Sequence, residues 1–308
     1  MKYFDEIFAA EDGYCDITNA FCFSKGTVFV LINASSERED LYGSALVKVS
    51  HLGENLSYEV LHEFSSGSLD YHAEHPDLHY ILASGGYIHQ IENGTMTFHL
   101  FSSDKYQFKL ARIDPKSIAV FGEKGLAHRF ENGAYTLMLT PTEETLQAMH
   151  FPRPDFGYAV GNYGTFLQGN ATRFIAIEHG GGEPIRAVHV KTDGSVLLAC
   201  KDGLGMIAVG DEMIRVEGNP ADFFSVVEFQ GTEYWGDDDF GIYNRTGTEF
   251  VPKFNTSYAF NLNTANGLMT VNAGYSVYVF DGTDWIQLKV NPDIDNMVEL
   301  VPLDFEPL

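Results

Sequence analysis

Residues 158–177 read YAVGNYGTFLQGNATRFIAI, and this stretch decides the fold. The apolar run Tyr158–Val160 is followed by the glycine-rich turn Gly161–Gly164 and then by a second apolar run. Gly169-Asn170 marks the next turn, and Thr172–Ile177 is the run that follows it. Because Gly and Asn tolerate the left-handed backbone of tight hairpin turns, the stretch predicts three consecutive antiparallel strands.

The same pattern recurs along the chain. The turn before the last strand of each unit appears seven times, with glycines separated by 35 to 41 residues, about 38 on average, as expected of an array of supersecondary units. These glycines are Gly53, Gly94, Gly133, Gly169, Gly210, Gly247 and Gly282. The glycine-rich turn is clear in six units, and a further apolar run precedes each one, as in Arg186–Val190. Each unit therefore predicts four short antiparallel strands.

The first unit is the least regular. We place its four strands near Ala20–Phe23, Val28–Asn33, Ser44–Ser50 and Ser57–Phe64. Seven four-stranded units repeated radially predict an all-β fold, a seven-bladed β-propeller in a single domain over residues 1–308. Because the first unit diverges, six blades with an extra hairpin remain the alternative.

The carboxy-terminal segment falls outside the repeats. We expect Val298–Phe305 to pair with the opposite terminus and so close the ring, because open sheet edges are prone to aggregation.

The charge of the chain is strongly negative. It has 19 Lys and Arg residues against 43 Asp and Glu residues, for a net charge of −24. Such a surface repels nucleic-acid backbones and anionic lipid headgroups, so we expect neither nucleic acid nor membrane as a partner. A surface with this charge favours a basic protein as the partner.

The cysteines and the amino-terminal residues indicate a compartment. Cys15, Cys22 and Cys200 cannot form a fully paired disulfide framework. The residues before Asp16 lack the basic and apolar regions of a signal peptide, and no apolar run reaches the length of a membrane span. We therefore expect a cytoplasmic protein.

The repeat sorts the loops between two faces. Loops between the second and third strands of a blade emerge on one face, together with those that join blades. These loops carry acidic residues and aromatic residues, a combination that favours a protein-binding patch, since aromatic anchors dominate interface energetics. The candidate binding residues are Glu37, Glu39, Asp40, Tyr42, Tyr163, Asp237, Asp238, Asp239, Phe240 and Tyr275.

Metal and catalytic motifs are weak. His72, His75 and His79 have spacings seen in metal sites, but Pro76 interrupts the stretch and a strand pattern surrounds it, so we expect surface or core histidines. The adjacent carboxylates of Asp237–Asp239 lack the spacing of a calcium loop, which favours a solvated acidic loop. No nucleophile elbow is present. The sequence therefore predicts no metal, no cofactor and no catalytic residue.

Two segments carry a family resemblance. Tyr158–Leu167 resembles the repeat of sialidase-like and photosystem-assembly-factor-like propellers, and Phe280–Leu288 is similar to the outer strands of many bacterial propellers. The Asp-box of sialidases and the paired marks of WD40 blades are missing. The resemblance therefore implies a fold and not an activity.

These observations favour a non-enzymatic binding module. We expect it to dock a basic protein through its acidic loop face, as an inhibitor or immunity protein for a basic toxin or enzyme would. The alternative is a hydrolase or lyase that acts on a glycan or small molecule in the central channel. That alternative predicts carboxylates or histidines converging at the channel mouth.

Overall fold

The computed structural model describes residues 2–52, 56–101, 106–202, 204–210, 212–216, 222–256, 258–291 and 297–303. Gly53, Gly203 and Asp211, which belong to the predicted turns, lie outside the described residues.

A short helix and three sheets make up the first part of the chain. The elements are α1 (Lys2–Ala9), β1 (Tyr14–Ser24), β2 (Thr27–Ser36), β3 (Leu41–Ser50), β4 (Ser57–Phe64), β5 (Ser68–His75), β6 (Leu78–Ala83), β7 (Tyr87–Glu92), β8 (Thr95–Leu100), β9 (Gln107–Asp114), β10 (Ser117–Gly122), a 3-10 turn (Glu123–Gly125), β11 (Ala127–Glu131) and β12 (Ala134–Leu137). Consecutive strands pair into three antiparallel sheets, β1 to β4, β5 to β8 and β9 to β12.

Four further sheets follow. Their strands are β13 (Leu146–Arg153), β14 (Phe156–Gly161), β15 (Phe166–Gly169), β16 (Phe174–Ala176), β17 (Ile185–Val190), β18 (Val196–Cys200), β19 (Gly205–Val209), β20 (Glu212–Val216), β21 (Phe223–Phe229), β22 (Thr232–Asp237), β23 (Ile242–Thr246), β24 (Glu249–Phe254), β25 (Ala259–Ala265), β26 (Leu268–Ala273), β27 (Ser276–Phe280), β28 (Trp285–Val290) and β29 (Val298–Val301). The last sheet has five strands and each of the others has four.

The seven sheets are the seven blades of an all-β propeller, which confirms the predicted fold class and rules out six blades. We number them blade 1 to blade 7 in chain order. The four predicted strands of blade 1 fall inside β1 to β4.

Asn-Gly pairs form hairpin turns as predicted. Asn93 and Gly94 both have positive φ, at 49° and 74°, and join β7 to β8. Asn132 and Gly133 do the same between β11 and β12, at 50° and 78°. Positive φ at both central residues defines the turn whose twist matches that of paired strands. The turns predicted from the Asn-Gly pairs therefore adopt the expected backbone conformation.

The chain divides into two compact units. Unit 1 comprises residues up to Phe98 together with those from Asn261 onward, and unit 2 runs from His99 to Phe260. The single domain over residues 1–308 stays a prediction. Among the described residues, no helix is both long and apolar enough to cross a membrane.

The core of unit 1 lies on both faces of blade 1. One face packs against blade 2, with Phe29, Leu31 and Leu46 among its buried residues. The other packs against blade 7 and α1, whose Phe4 and Ile7 are fully buried. The helix was not predicted.

In unit 2, buried clusters lie between successive blades 3, 4, 5 and 6. One of them contains Trp235, packed edge-on against Phe250.

The predicted closing strand was wrong. β29 pairs antiparallel with β28 and so extends blade 7 by a fifth strand, instead of pairing with the amino-terminal strand. Val298 on β29 is buried in the same cluster as the helix, so burial of its apolar side chain favours this position. The remainder of the segment, residues 304 and 305, lies outside the described residues.

Blades 1 and 7 are joined through side chains. Asn272 Nδ2 donates to the carbonyl of Ile17 at 2.9 Å, and Thr270 Oγ1 donates to that of Ala20 at 2.8 Å. Asn263 Nδ2 donates to the Ala20 carbonyl as well, at 3.1 Å. Side-chain donors from β25 and β26 thus satisfy carbonyls of β1, which would otherwise be buried without partners.

Candidate functional site

The acidic turn of blade 1 is held by side chains from the amino-terminal segment. Ser36, at the end of β2, donates from Oγ to Asp12 Oδ1 at 2.6 Å, and the Arg38 amide donates to Asp12 Oδ2 at 3.0 Å. The guanidinium of Arg38 contacts Glu11 Oε2 at 2.7 Å. The Ser36 hydroxyl and the Arg38 amide lower the pKa of Asp12, so this carboxylate stays ionised and fixes the turn.

Three of the predicted binding residues lie on this turn. Glu37, Glu39 and Asp40 are all exposed, and Asp40 has a φ of 51°. The one cation of the turn, Arg38, is occupied by Glu11, which leaves the turn's carboxylates to face solvent as a negative edge.

Two tyrosines flank the acidic turn at the same end of blade 1. Tyr14 pairs with Ser35 on β2, and Ser35 pairs with Tyr42 on β3, so the three residues occupy one row of the ladder. With strands about 4.8 Å apart, the Tyr14 and Tyr42 backbones lie roughly 10 Å apart. The two residues are 46% and 51% exposed.

Tyr275, on the turn between β26 and β27 of blade 7, extends this row. Its ring packs edge-on against Tyr14 at 5.8 Å, and it keeps 45% of its surface exposed. The backbone brings the two together, since the Ile17 amide donates to the Gly274 carbonyl. Tyr14, Glu37, Glu39, Asp40, Tyr42 and Tyr275 together form what we call the tyrosine–acid patch.

Tyr14 is fixed by its surroundings. Partial burial and the nearby Asp16 raise the pKa of Tyr14 to about 12, so it stays a neutral hydroxyl that can donate a hydrogen bond. Burial also raises the pKa of Asp16. The patch therefore offers a rigid aromatic surface with a neutral polar tip, as interface tyrosines do.

The remaining predicted residues lie in unit 2, on two other turns. Tyr163, on the turn between β14 and β15, has a φ of 52° and is 76% exposed. Phe240 is 45% exposed and Asp239 is exposed, both on the turn between β22 and β23. Asp238, next to them, is half-buried.

Asp237 does not lie on the loop surface as expected. It is fully buried, and its Oδ1 accepts hydrogen bonds from the amides of Asp239, at 2.9 Å, and Phe240. Burial raises the pKa of this carboxyl group, while the amides act in the opposite direction. Asp237 therefore shapes the turn that carries Phe240 and is not exposed on its surface.

The histidine cluster has a structural explanation at His79. This residue is buried, with Nε2 2.9 Å from the Pro76 carbonyl and Nδ1 2.9 Å from the Tyr71 hydroxyl. Both nitrogens are occupied by groups of the protein. Over the described parts of the chain, no three His, Cys, Asp or Glu side chains are arranged to hold a metal ion.

Sequence reasoning missed Asp12, Tyr14 and Arg38. The available signal was the position of Tyr14 at the start of the first strand, beside a turn already identified as acidic. The pairing of Asp12 with Ser36 spans 24 residues, and no local pattern encodes it.

Comparison with known proteins supports the fold. No protein-family profile and no curated protein matches the chain. Among solved structures, the computationally designed protein Ika8 matches with a TM-score of 0.68 and 14% identity, over 94% of this chain and 97% of that one. The WD40 propeller domain of Doa1 matches with a TM-score of 0.65 and 11% identity, over 87% and 94%.

The propeller YCF48, solved bound to the D1 peptide, matches with a TM-score of 0.63 and 7% identity, over 88% of this chain and 94% of that one. YCF48 is a photosystem assembly factor, so the resemblance predicted from Tyr158–Leu167 is confirmed at the level of fold. At these identities the likeness shows the fold alone. The seven blades and the similar solved structures together define the class of this protein, which is a seven-bladed β-propeller.

Proposed function

We propose that this chain is a non-enzymatic propeller that docks a basic protein through the tyrosine–acid patch. The observation that carries the proposal is the edge-on contact of Tyr14 with Tyr275, two exposed rings beside an exposed acidic turn. Tyrosines are common binding hot spots because they bury a large area at a low cost in side-chain entropy.

Charge supports a basic partner. The chain carries a net charge of −24, and Glu37, Glu39 and Asp40 add a local concentration of exposed negative charge at the patch. Complementary charge of this kind speeds association and selects the partner more than it adds affinity. An inhibitor or immunity protein for a basic toxin or enzyme is the role that we infer from this combination.

Two further observations fit the proposal. YCF48, with the same fold, is solved with a bound peptide, so a propeller of this kind can serve as a peptide-binding surface. Cys15, Cys22 and Cys200 are all unpaired thiols, as expected in the reducing cytoplasm, where we place the interaction.

The test compares proteins captured by the purified chain and by two triple variants, in buffers of low and high salt. The patch variant is Glu37→Gln, Glu39→Gln and Asp40→Asn, and the matched control is Glu92→Gln, Glu212→Gln and Glu249→Gln, exposed acids on other turns and strands. We expect captured proteins of high isoelectric point to be lost with the patch variant and at high salt, and kept with the control.

A Tyr275→Ala variant tests the aromatic contribution. We expect it to weaken capture at least tenfold without changing the salt dependence. Equal capture of the same proteins by the wild type and the patch variant would contradict the proposal.

A further inference from the structure

A cavity of about 520 Å³ opens at the opposite edge of blade 1 from the tyrosine–acid patch. It lies between blades 1 and 2, where the β1–β2, β5–β6 and β7–β8 turns emerge. Its volume is within the range of about 300–1,000 Å³ that is usual for small-molecule sites. We call it the edge cavity.

Apolar side chains cover much of the edge cavity. Phe23 and Leu61 are half-buried there, and Phe29 and Ile91 are buried. These residues belong to, or pack against, the cluster that joins blades 1 and 2. The cavity is therefore an opening beside that cluster where parts of Phe23 and Leu61 remain uncovered, and burial of this apolar surface would give an apolar ligand its affinity.

Polar groups from one face of blade 1 line the same cavity. Lys48 pairs with Glu59, and Leu46 pairs with His62, across β3 and β4. Leu46 and Lys48 are two residues apart, so they share a face of the strand, and Leu46 is buried against blade 2. The register thus places Lys48 and His62 at the rim of an apolar surface.

Lys48 is half-buried and, among the described residues, forms no ion pair within 4.0 Å, not even with Glu59 opposite it. The ring nitrogens of His62 likewise have no hydrogen-bond partner among those residues, and burial lowers the pKa of this histidine. Two nitrogen-bearing side chains therefore line the cavity, and neither has a polar partner in the part of the chain that the structure describes. A ligand carboxylate would meet the charge of Lys48 and could accept a hydrogen bond from His62.

The acids at this cavity, Glu59 and Asp77, are both exposed. Water screens exposed charges, so their attraction for a cationic ligand is weaker than that of the half-buried Lys48 for an anion. The balance favours an anionic ligand.

We propose that the edge cavity binds a small organic carboxylate with an aromatic or branched aliphatic body. The carboxylate pairs with Lys48 and His62, and the body covers the exposed parts of Phe23 and Leu61. This site is separate from the tyrosine–acid patch, and the two stand or fall independently.

Two probes of the same shape and opposite charge test the charge preference. We would measure the dissociation constants of 2-naphthoate and of 2-naphthylmethylamine by titration calorimetry with the full chain. We expect 2-naphthoate to bind at least tenfold more tightly. Equal affinities, tighter binding of the amine, or no binding of either probe would overturn the proposal.

Variants of Lys48 test the assigned cation. We expect Lys48→Met, which keeps length and removes charge, to weaken 2-naphthoate binding at least tenfold, and Lys48→Arg to restore most of it. Lys289→Met, at an exposed position of β28, is the matched control and should bind as the wild type does. A thermal melt of each variant verifies folding. Unchanged binding by a folded Lys48→Met variant would overturn the proposal.

Discussion

The Tyr71 hydroxyl lies 2.9 Å from Nδ1 of His79, inside the core of blade 2. The Pro76 carbonyl near Nε2 can only accept a hydrogen bond, so Nε2 carries the hydrogen. Nδ1 is then the acceptor and the Tyr71 hydroxyl the donor. The Tyr71 contact requires the neutral imidazole, because a protonated Nδ1 cannot accept a hydrogen bond, and burial lowers the pKa of His79 to about 4.

This pair predicts a loss of stability in weak acid. In the unfolded chain, His79 has a pKa near 6.5, whereas in the folded chain it is protonated only at about pH 4. Between these values the unfolded state binds one more proton, so stability falls as the pH drops. The contribution of His79 is on the order of 3 kcal/mol. Denaturant unfolding at several pH values would measure this slope.

A His79→Gln variant isolates the residue, because its amide keeps a donor and an acceptor but does not titrate. We expect a shallower loss of stability between pH 6.5 and 4 than in the wild type. His51→Asn, at an exposed position with a φ of 62° that Asn tolerates, should leave the slope unchanged. An identical slope in His79→Gln and the wild type would show that His79 takes up its proton over the same pH range in the folded and the unfolded chain.

The hydrogen bond from Thr270 Oγ1 to the Ala20 carbonyl links blades 1 and 7. Its contribution to the free energy of unfolding can be predicted. Thr270→Val preserves shape and removes the donor, and the residue is buried, so water cannot replace the bond. We expect a loss of about 1 kcal/mol in the free energy of unfolding. Thr232→Val, at an exposed strand end, is the control and should change it by less than about half that amount. A neutral Thr270→Val result would show that Asn263, the second donor to Ala20, is sufficient alone.

Local turn residues were sufficient to predict the blades. The positions of α1 and β29 depend on long-range contacts and could not be predicted in the same way. Asn93-Gly94 is legible in sequence because the turn conformation depends on those two residues themselves. The helix α1 was missed although Phe4, Ile7 and Phe8 follow the i, i+3, i+4 spacing of a helix, because its eight residues span little more than about two turns and lie outside the strand repeats. β29 was identified as a strand, but its partner depends on packing against blade 7 and α1.

The candidate site was predicted in part for the same reason. Glu37, Glu39, Asp40, Tyr42 and Tyr275 could be assigned to loop ends because turn positions follow from the repeat. The contact of Tyr275 with Tyr14 joins residues 261 positions apart, which no repeat specifies. Asp237 was misplaced because a run of three aspartates suggests a solvated loop, whereas amides of its own turn hold the first one inside.

The cysteines give a chemical prediction. Cys15, Cys22 and Cys200 are buried, and burial raises the pKa of each thiol to about 12. Because the thiolate is the reactive form, we expect none of the three to react with a thiol reagent such as Ellman's in the native protein. All three should react in denaturant. Fast labelling of any one under native conditions would mean that its strand opens readily.

Asp237 gives the sharpest test of how a carboxylate shapes a turn. Asp237→Ala leaves the Asp239 and Phe240 amides without their acceptor, and we expect it to lower the free energy of unfolding by roughly 1–3 kcal/mol. Asp237→Asn keeps an acceptor and removes a buried charge. Because the folded-state pKa of Asp237 is raised, the wild type loses stability as pH rises through that pKa, and the asparagine variant does not.

We therefore expect the two Asp237 variants to separate at pH 7, with Asn at least as stable as the wild type and Ala clearly less so. Chemical denaturation at pH 7 and at a series of lower pH values measures both effects. Asp239→Asn, two residues along the same turn and exposed, is the control for charge alone and should behave as the wild type does. If Asn and Ala were equally destabilising, the turn would depend on the negative charge of Asp237 and not on its hydrogen-bond acceptor.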